Sequence, residues 1–279
     1  MSRSCMTPQP SNMLIATLDL LGVTHMISNA DGASGLMVVY NSIVSVYGDI
    51  KNKSAQILNQ VPSEISKHGI GRDIATNFCT SMADAIQTNF FSDTIVIGLN
   101  LDICSTGDAK FSTATRRVAI SFFFCYVKLI AYSLMAKGFP VRGSVDSGIV
   151  LCGRDLVVGV PYVNTLRNSE QIEFSGVVVT ESAFNLYNDG SEKLNRFCPL
   201  IKLSIPVKGK YIEAICMNWL RRTEVEPSDI MDLKIGDIEQ ILYEKFSAHG
   251  KIIGESAIIK LKNTAMTIRA FLAQNKKLS

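Results

Sequence analysis

The chain is poor in the residues that mark the commonest kinds of site. Three histidines, His25, His68 and His249, lie far apart among 279 residues, so none has a neighbour with which to form a ligand cluster. The seven cysteines are odd in number, scattered and never spaced Cys-x-x-Cys. That argues against a disulfide framework or a thiolate zinc site and fits free buried thiols in a reducing cytosol. Charged residues make up only 19% and the net charge is +3, which gives no reason to expect a nucleic-acid surface. A clean membrane span is missing too. The stretch Val118 to Ala136 carries Lys128 near its middle, with Ser121, Tyr126, Tyr132 and Ser133, and reads as a buried core helix. No secretory leader is visible, because the apolar run after Arg3 is short and broken by Asp19. A cytoplasmic protein without a membrane or nucleic-acid partner is expected.

What is present is a large apolar fraction, 47%, enough for one sizeable domain with or without an appendage. Residues 1–12 read as a loose polar arm and 13–20 as a buried strand. A helix is predicted through Met37–Tyr47, a polar excursion over 48–75, and an undecided strand or helix over 76–88. A strand follows over 94–101, then a long helix over about Thr113–Lys137, closed by Gly138 and Pro140. Residues 141–151 read as a strand, Pro161–Glu170 as a helix and Val177–Thr180 as a short buried strand. Ile201–Val207 and Tyr211–Trp219 flank Lys208-Gly209-Lys210, a hairpin signal. Two helices are predicted near 227–248 and 254–274, with Pro227-Ser228-Asp229 as the entry. This order implies an α/β sandwich: a mixed sheet with packed helices and a C-terminal helical extension over 221–279.

Two short stretches carry an aspartate where an apolar strand meets a turn: Leu18-Asp19-Leu20-Leu21-Gly22 and Phe91-Ser92-Asp93-Thr94. A carboxylate at the end of a hydrophobic strand is costly unless solvated, paired or metal-bound. Two of them brought together by a sheet suit a divalent metal site for phosphoryl chemistry. Either aspartate alone would read as a turn or helix-cap residue.

Four segments in order resemble class III nucleotidyl cyclases, the adenylate and guanylate cyclase catalytic fold. Leu18-Asp19-Leu20-Leu21-Gly22-Val23-Thr24 is similar to the first metal-aspartate motif, and Phe91-Ser92-Asp93-Thr94 to the second. Val141-Arg142-Gly143-Ser144-Val145-Asp146-Ser147-Gly148 resembles the strand with arginine and a glycine six residues on. It leads into Gly159-Val160-Pro161-Tyr162-Val163-Asn164, similar to the family's glycine, valine and asparagine at a helix start. Val207-Lys208-Gly209-Lys210, closed by Asn218-Trp219-Leu220, resembles the terminal hairpin. The likeness covers about residues 13–220. The Phe-Ser-Asp-Thr form, the Arg-Gly strand and the lack of attached sensor domains resemble the stand-alone bacterial pyrimidine cyclases of anti-phage defence, which make cyclic CMP or cyclic UMP.

The resemblance implies that Asp19 and Asp93 hold two divalent ions, Mg²⁺ or Mn²⁺, with the backbone carbonyl of Leu20 completing one shell. Amides from Leu21, Gly22, Val23 and Thr24 would cradle phosphates at a helix start. Lys208, with Lys210 as fallback, would take the triphosphate. Asn164 would steady the ribose or the transition state, and Arg167 would offset charge on the α-phosphate. As ordinary parts of a fold, these same residues would be a turn glycine, solvated turn lysines, a helix cap and a surface arginine. Arg142 is expected to pair within the fold. Tyr40 and Tyr47 are expected to pack or lie exposed rather than touch a base.

The chain also departs from the family pattern. The gap between the two aspartates is long. The family's arginine position, four residues after Asn164, is Asn168, with Arg167 one earlier. The purine-reading positions are Asn89 and Val157, which match neither the adenylate nor the guanylate pair. The resemblance also implies a head-to-tail homodimer, since the aspartates and the asparagine–arginine segment usually come from opposite subunits. Expected activity is cyclisation of UTP or CTP to the 3′,5′-cyclic monophosphate. Alternatives are a purine cyclase with atypical base contacts and an inactive nucleotide-binding sensor or scaffold of the same fold.

Overall fold

The computed structural model describes residues 9–21, 32–38, 40, 41, 44, 45, 48, 86–91, 93–102, 109–152, 156–190, 195, 198–219, 242–244 and 255–275. In chain order its strands are β1 (Ser11–Leu20), β2 (Ile86–Phe91), β3 (Thr94–Asn100), β4 (Val141–Cys152), β5 (Val157–Val158), β6 (Gly176–Val179), β7 (Leu200–Val207) and β8 (Lys210–Met217). The helices α1 (Ala109–Ala136), α2 (Val160–Gln171), α3 (Glu181–Asn188) and α4 (Glu255–Asn275) pack with them, and residues 32–38, 40, 41, 44, 45 and 48 are helical too. The sheet order is β2-β3-β1-β4-β6-β8-β7, with β5 paired to the end of β4. Every pairing is antiparallel except β4 with β6, which α2 joins by a crossover. This is the mixed sheet with packed helices expected from the element order.

Alternation along β1 assigns its two faces. Leu14, Ala16, Leu18 and Leu20 enter the main core, where α1 contributes Phe122, Phe123, Val127 and Ile130. Met13 and Ile15 join a smaller cluster with Val96, Val150 and Val157. That second face is the one shared by Thr17 and Asp19. Within α1, Thr115–Ala136 is long and apolar enough to cross a membrane, yet 94% of its most apolar window is buried inside the protein. Its apolar surface is satisfied by the sheet, as the core-helix reading anticipates. Cys125, Cys198 and Cys216 are buried, and burial pushes the Cys216 thiol up to about 12.

Several boundaries differ from expectation. β1 begins at Ser11, inside the stretch read as an arm. The undecided 76–88 region ends as strand from Ile86, and 76–85 lie outside the described residues. α3 and β5 were not expected. An eight-residue helix offers little periodicity, and α3 is started locally by the Thr180 side chain, which accepts from the Ala183 N–H. Of the two expected C-terminal helices, the first contributes helical residues 242–244 and the second is α4. α4 is no detached appendage: Leu261, Ala265, Ile268 and Phe271 lie in the main core. Thr264 Oγ1 accepts from the Ser175 N–H at 2.8 Å and Asn263 Nδ2 donates to the Glu173 carbonyl at 2.8 Å.

Close strand packing next to Asp19 depends on Gly143. A Cβ there would lie 2.5 Å from the Thr17 carbonyl oxygen and 2.5 Å from Leu18 Cδ2. The backbone atom cannot swing aside as a side chain can. Gly143→Ala is expected to lower stability by about 1–3 kcal/mol. Urea unfolding would show this as a lowered midpoint with an unchanged slope.

Candidate active site

Strand register brings the two aspartates together. Asp19 lies opposite Thr94 in the β1–β3 pairing, one residue after Asp93. The Leu20 N–H donates to the Asp93 carbonyl at 2.8 Å, so the strand end and the β2–β3 turn are joined at this point. The Leu21 N–H donates to the Pro140 carbonyl at 2.8 Å, so it is held within the fold and is not the open phosphate donor that was expected. Both aspartates are partly exposed at the strand ends, where water or a ligand can reach them.

On the other flank Asp19 lies opposite Arg142 in the β1–β4 pairing. The guanidinium Nε donates to Asp19 Oδ2 at 2.7 Å, with side chains 17% and 20% exposed for the arginine and the aspartate. The expected role of Arg142 within the fold is thus as the counter-charge of the first aspartate. The guanidinium takes Oδ2 and offsets the charge of Asp19, so a metal there would compete with Arg142 or bind through the other oxygen. Among the described residues no group of three or more His, Cys, Asp and Glu could hold a metal ion. Two carboxylates still fit Mg²⁺ or Mn²⁺ when substrate phosphates and water supply the remaining ligands, the usual arrangement for magnesium at triphosphates.

A second polar cluster lies further along β4. Asp146, 4% exposed, is a carboxylate inside the sheet. Its Oδ1 accepts from the Ser147 N–H at 2.8 Å, Thr180 Oγ1 at 2.6 Å and Ser182 Oγ at 2.5 Å; its Oδ2 accepts from Asn164 Nδ2 at 2.9 Å. Four donors from β4, α2 and the β6–α3 junction meet on one side chain. Sequence reasoning missed Asp146. The available signal was a lone acid in the middle of the Gly-Ser-Val-Asp-Ser-Gly strand. Two residues before Asp19, the Thr17 hydroxyl is fully buried and has no hydrogen-bond partner among the described residues.

The helix phase of α2 sorts its candidates. Asn164 and Asn168, four apart, turn toward β4, and Asn168 Nδ2 reaches Ser144 Oγ at 3.5 Å. Arg167 is exposed. Asn168, rather than an arginine, therefore lies beside Asn164 on the sheet.

Asn89 pairs with Val96 in β2–β3, and Val157 packs in the same small cluster as Val96. The structure thus places the two expected base-reading positions on one face of the sheet. Lys208 is exposed in the β7–β8 turn, its N–H donating to the Gln171 carbonyl at 2.9 Å, and Gly209 takes φ +78°. Lys202, Lys208, Lys210 and Asn168 are among the residues lining a cavity of about 800 Å³. Tyr40 is helical and 61% exposed. Gly22, Val23, Thr24, Tyr47 and the three histidines lie outside the described residues.

No family model matches the sequence, and no curated protein does. Solved structures similar to this chain include the guanylyl cyclase Cya2, at 11% identity and a TM-score of 0.32, covering 76% of this chain and 93% of that one. The catalytic core of a rhodopsin-guanylyl cyclase with converted specificity, in complex with ATPαS, is similar at 10% identity and a TM-score of 0.41, covering 75% and 96%. Adenylate cyclases of Trypanosoma brucei, in their monomeric state, are similar at 10% identity and a TM-score of 0.32, covering 78% and 93%.

Proposed function

We propose that this protein is a metal-dependent nucleotidyl cyclase that converts UTP or CTP to the 3′,5′-cyclic monophosphate and pyrophosphate. The observation that carries the reading is the junction of Asp19 and Asp93 at adjacent strand ends, held by the Leu20 N–H and the Asp93 carbonyl. The order of the cyclase-like motifs along the chain supports it. In this reading Asp19, Asp93 and the Leu20 carbonyl hold Mg²⁺ or Mn²⁺. When bound, the metal supplies charge stabilisation at the phosphates and acidifies the attacking 3′ hydroxyl. Arg142, paired with Asp19, holds that carboxylate in place at the strand end. The Leu21 N–H is taken by the Pro140 carbonyl, so Gly22 and Val23 are left to donate backbone N–H groups to the triphosphate, and Lys208 adds a cation. Asn164 orients the sugar. Positioning and electrostatics carry the rate, since phosphoryl transfer asks little covalent chemistry of the protein.

Asn89 and Val157 support pyrimidine use. An amide both donates and accepts, and suits the uracil or cytosine edge; Val157 has no polar group with which to read a purine. Leaving a purine edge unpaired in a closed pocket costs about 1–3 kcal/mol. The stand-alone bacterial likeness extends the proposal to a cytoplasmic signalling enzyme of anti-phage defence. The exposed Arg167, with Asn168 in the position beside Asn164, favours a second reading, a nucleotide-binding scaffold without turnover.

Incubation with each of the four ribonucleoside triphosphates and Mn²⁺, with products identified by mass spectrometry, tests both readings. Cyclic UMP or cyclic CMP as the main product is expected. Cyclic AMP or cyclic GMP as the main product would overturn the base assignment alone. Triphosphate binding with no cyclic product would favour the scaffold.

A further inference from the structure

Asp146 has a chemical consequence for Asn164 that neither residue has alone. A carboxylate only accepts hydrogen bonds, so the Asn164 amide can meet it only through Nδ2. The other carboxylate oxygen is taken by Ser147, Thr180 and Ser182, and these three donors prevent Asp146 from turning away. The amide of Asn164 is thereby fixed in one of its two flip states. Among the described residues its carbonyl oxygen has no hydrogen-bond partner at the helix–sheet junction.

We propose that Asp146 is the positioning residue of the site, and that it makes Asn164 an acceptor for a substrate hydroxyl group. Such a group on a ribonucleotide, other than the 3′ nucleophile, is the ribose 2′ hydroxyl. This inference rests on the cyclase reading and deepens it. An acceptor at this point distinguishes ribo- from 2′-deoxyribonucleotides, because the deoxy sugar leaves a polar atom unpaired.

The decisive variant is Asp146→Asn. The Ser147 N–H can only donate and still requires oxygen where Asp146 Oδ1 lies, so the new amide nitrogen takes the position that faces Asn164. Two amide nitrogens then oppose each other, and the Asn164 amide turns over to present nitrogen to the substrate. The fold keeps its other hydrogen bonds, while the polarity of the site inverts. Asp146→Asn is expected to lower kcat/KM for the preferred ribonucleotide by about 10–100-fold. It is also expected to abolish the preference for that nucleotide over its 2′-deoxy form. The double variant Asp146→Asn/Asn164→Asp restores an oxygen toward the substrate and keeps the pair complementary. It should recover about tenfold or more of the loss and regain the ribose preference.

A side-chain ¹⁵N–¹H spectrum gives a reading that needs no activity. The Asn164 NH₂ signal, identified by its loss in Asn164→Ala, should be shifted and protected from exchange in the wild type and lose that protection in Asp146→Asn. Titration with a non-cyclisable ribonucleoside triphosphate and its 2′-deoxy counterpart gives the binding preference directly. Equal affinity of the wild type for the two sugars, or an unchanged preference in Asp146→Asn, overturns the inference and leaves the cyclase reading standing. If no triphosphate binds, the cyclase reading and the substrate role of Asn164 both fall. The amide spectrum then still decides whether Asp146 fixes Asn164.

Discussion

Asp19→Asn and Asp93→Asn are each expected to reduce turnover by about a thousandfold or more, equivalent to ~4 kcal/mol of transition-state stabilisation. Each change removes one ligand charge with little change of shape. Their stability effects should differ, because the two aspartates have different neighbours. Asp19 is the partner of Arg142 at 2.7 Å in a partly buried setting. Replacing it with a neutral amide removes the counter-charge of the guanidinium and should cost about 1–2 kcal/mol in unfolding free energy. Asp93 meets Leu20 through its backbone carbonyl, which asparagine retains, so Asp93→Asn should unfold like the wild type. Arg142→Gln separates the terms. It breaks the ion pair but keeps both carboxylates, so it should cost similar stability while losing much less turnover. Steady-state rates with Mn²⁺ and urea midpoints on the same three proteins are the measurements. Wild-type turnover in either aspartate variant would sink the two-aspartate assignment.

How much of this was legible in the sequence depended on whether a signal was local. The strand-end aspartates stood out because an acid interrupts an apolar run, and the sheet does join those strand ends. β3, β4, α2 and the β7–β8 hairpin follow the periods and turn residues that predict them. Arg142 was assigned to the fold, and its register opposite Asp19 shows why. What local pattern could not supply was register between distant segments. Asp146 gathers Asn164, Thr180 and Ser182 across 18, 34 and 36 residues of sequence, and no spacing rule links them. α4 has the same cause: its bonds to Glu173 and Ser175 span 90 and 89 residues, so its place in the main core could not be read from the last helix alone. Choosing between Arg167 and Asn168 required the phase of α2 against β4, which a helix start known to within one residue does not give.

Mixing two inactive proteins should restore activity. Asp19 is paired with Arg142, whereas Asn164 is bound to Asp146, four residues further along β4 on the same face. Four residues of strand span about 13 Å, while reacting groups must lie within about 3–3.5 Å of each other. The carboxylates and Asn164 of one chain are therefore badly placed to act on one α-phosphorus and its sugar. Two chains packed head to tail would pair the carboxylates of each with Asn164 of the other and create two equivalent sites. The surface offers apolar material for such a contact. Ile149, Leu156, Val158 and Val160 are 63%, 60%, 52% and 72% exposed around the end of β4, β5 and the start of α2, more than isolated surface residues require. Asp93→Asn and Asn164→Ala homodimers should each be inactive. After subunit exchange at equal amounts, half of the dimers would be mixed, each with one intact and one doubly defective site, giving about a quarter of wild-type activity. Native mass spectrometry of the mixture confirms the exchange. Val160→Asp, which puts a charge into the apolar patch, should shift the wild type toward monomer and abolish the recovery. Proven exchange without recovery would place the complete site within a single chain.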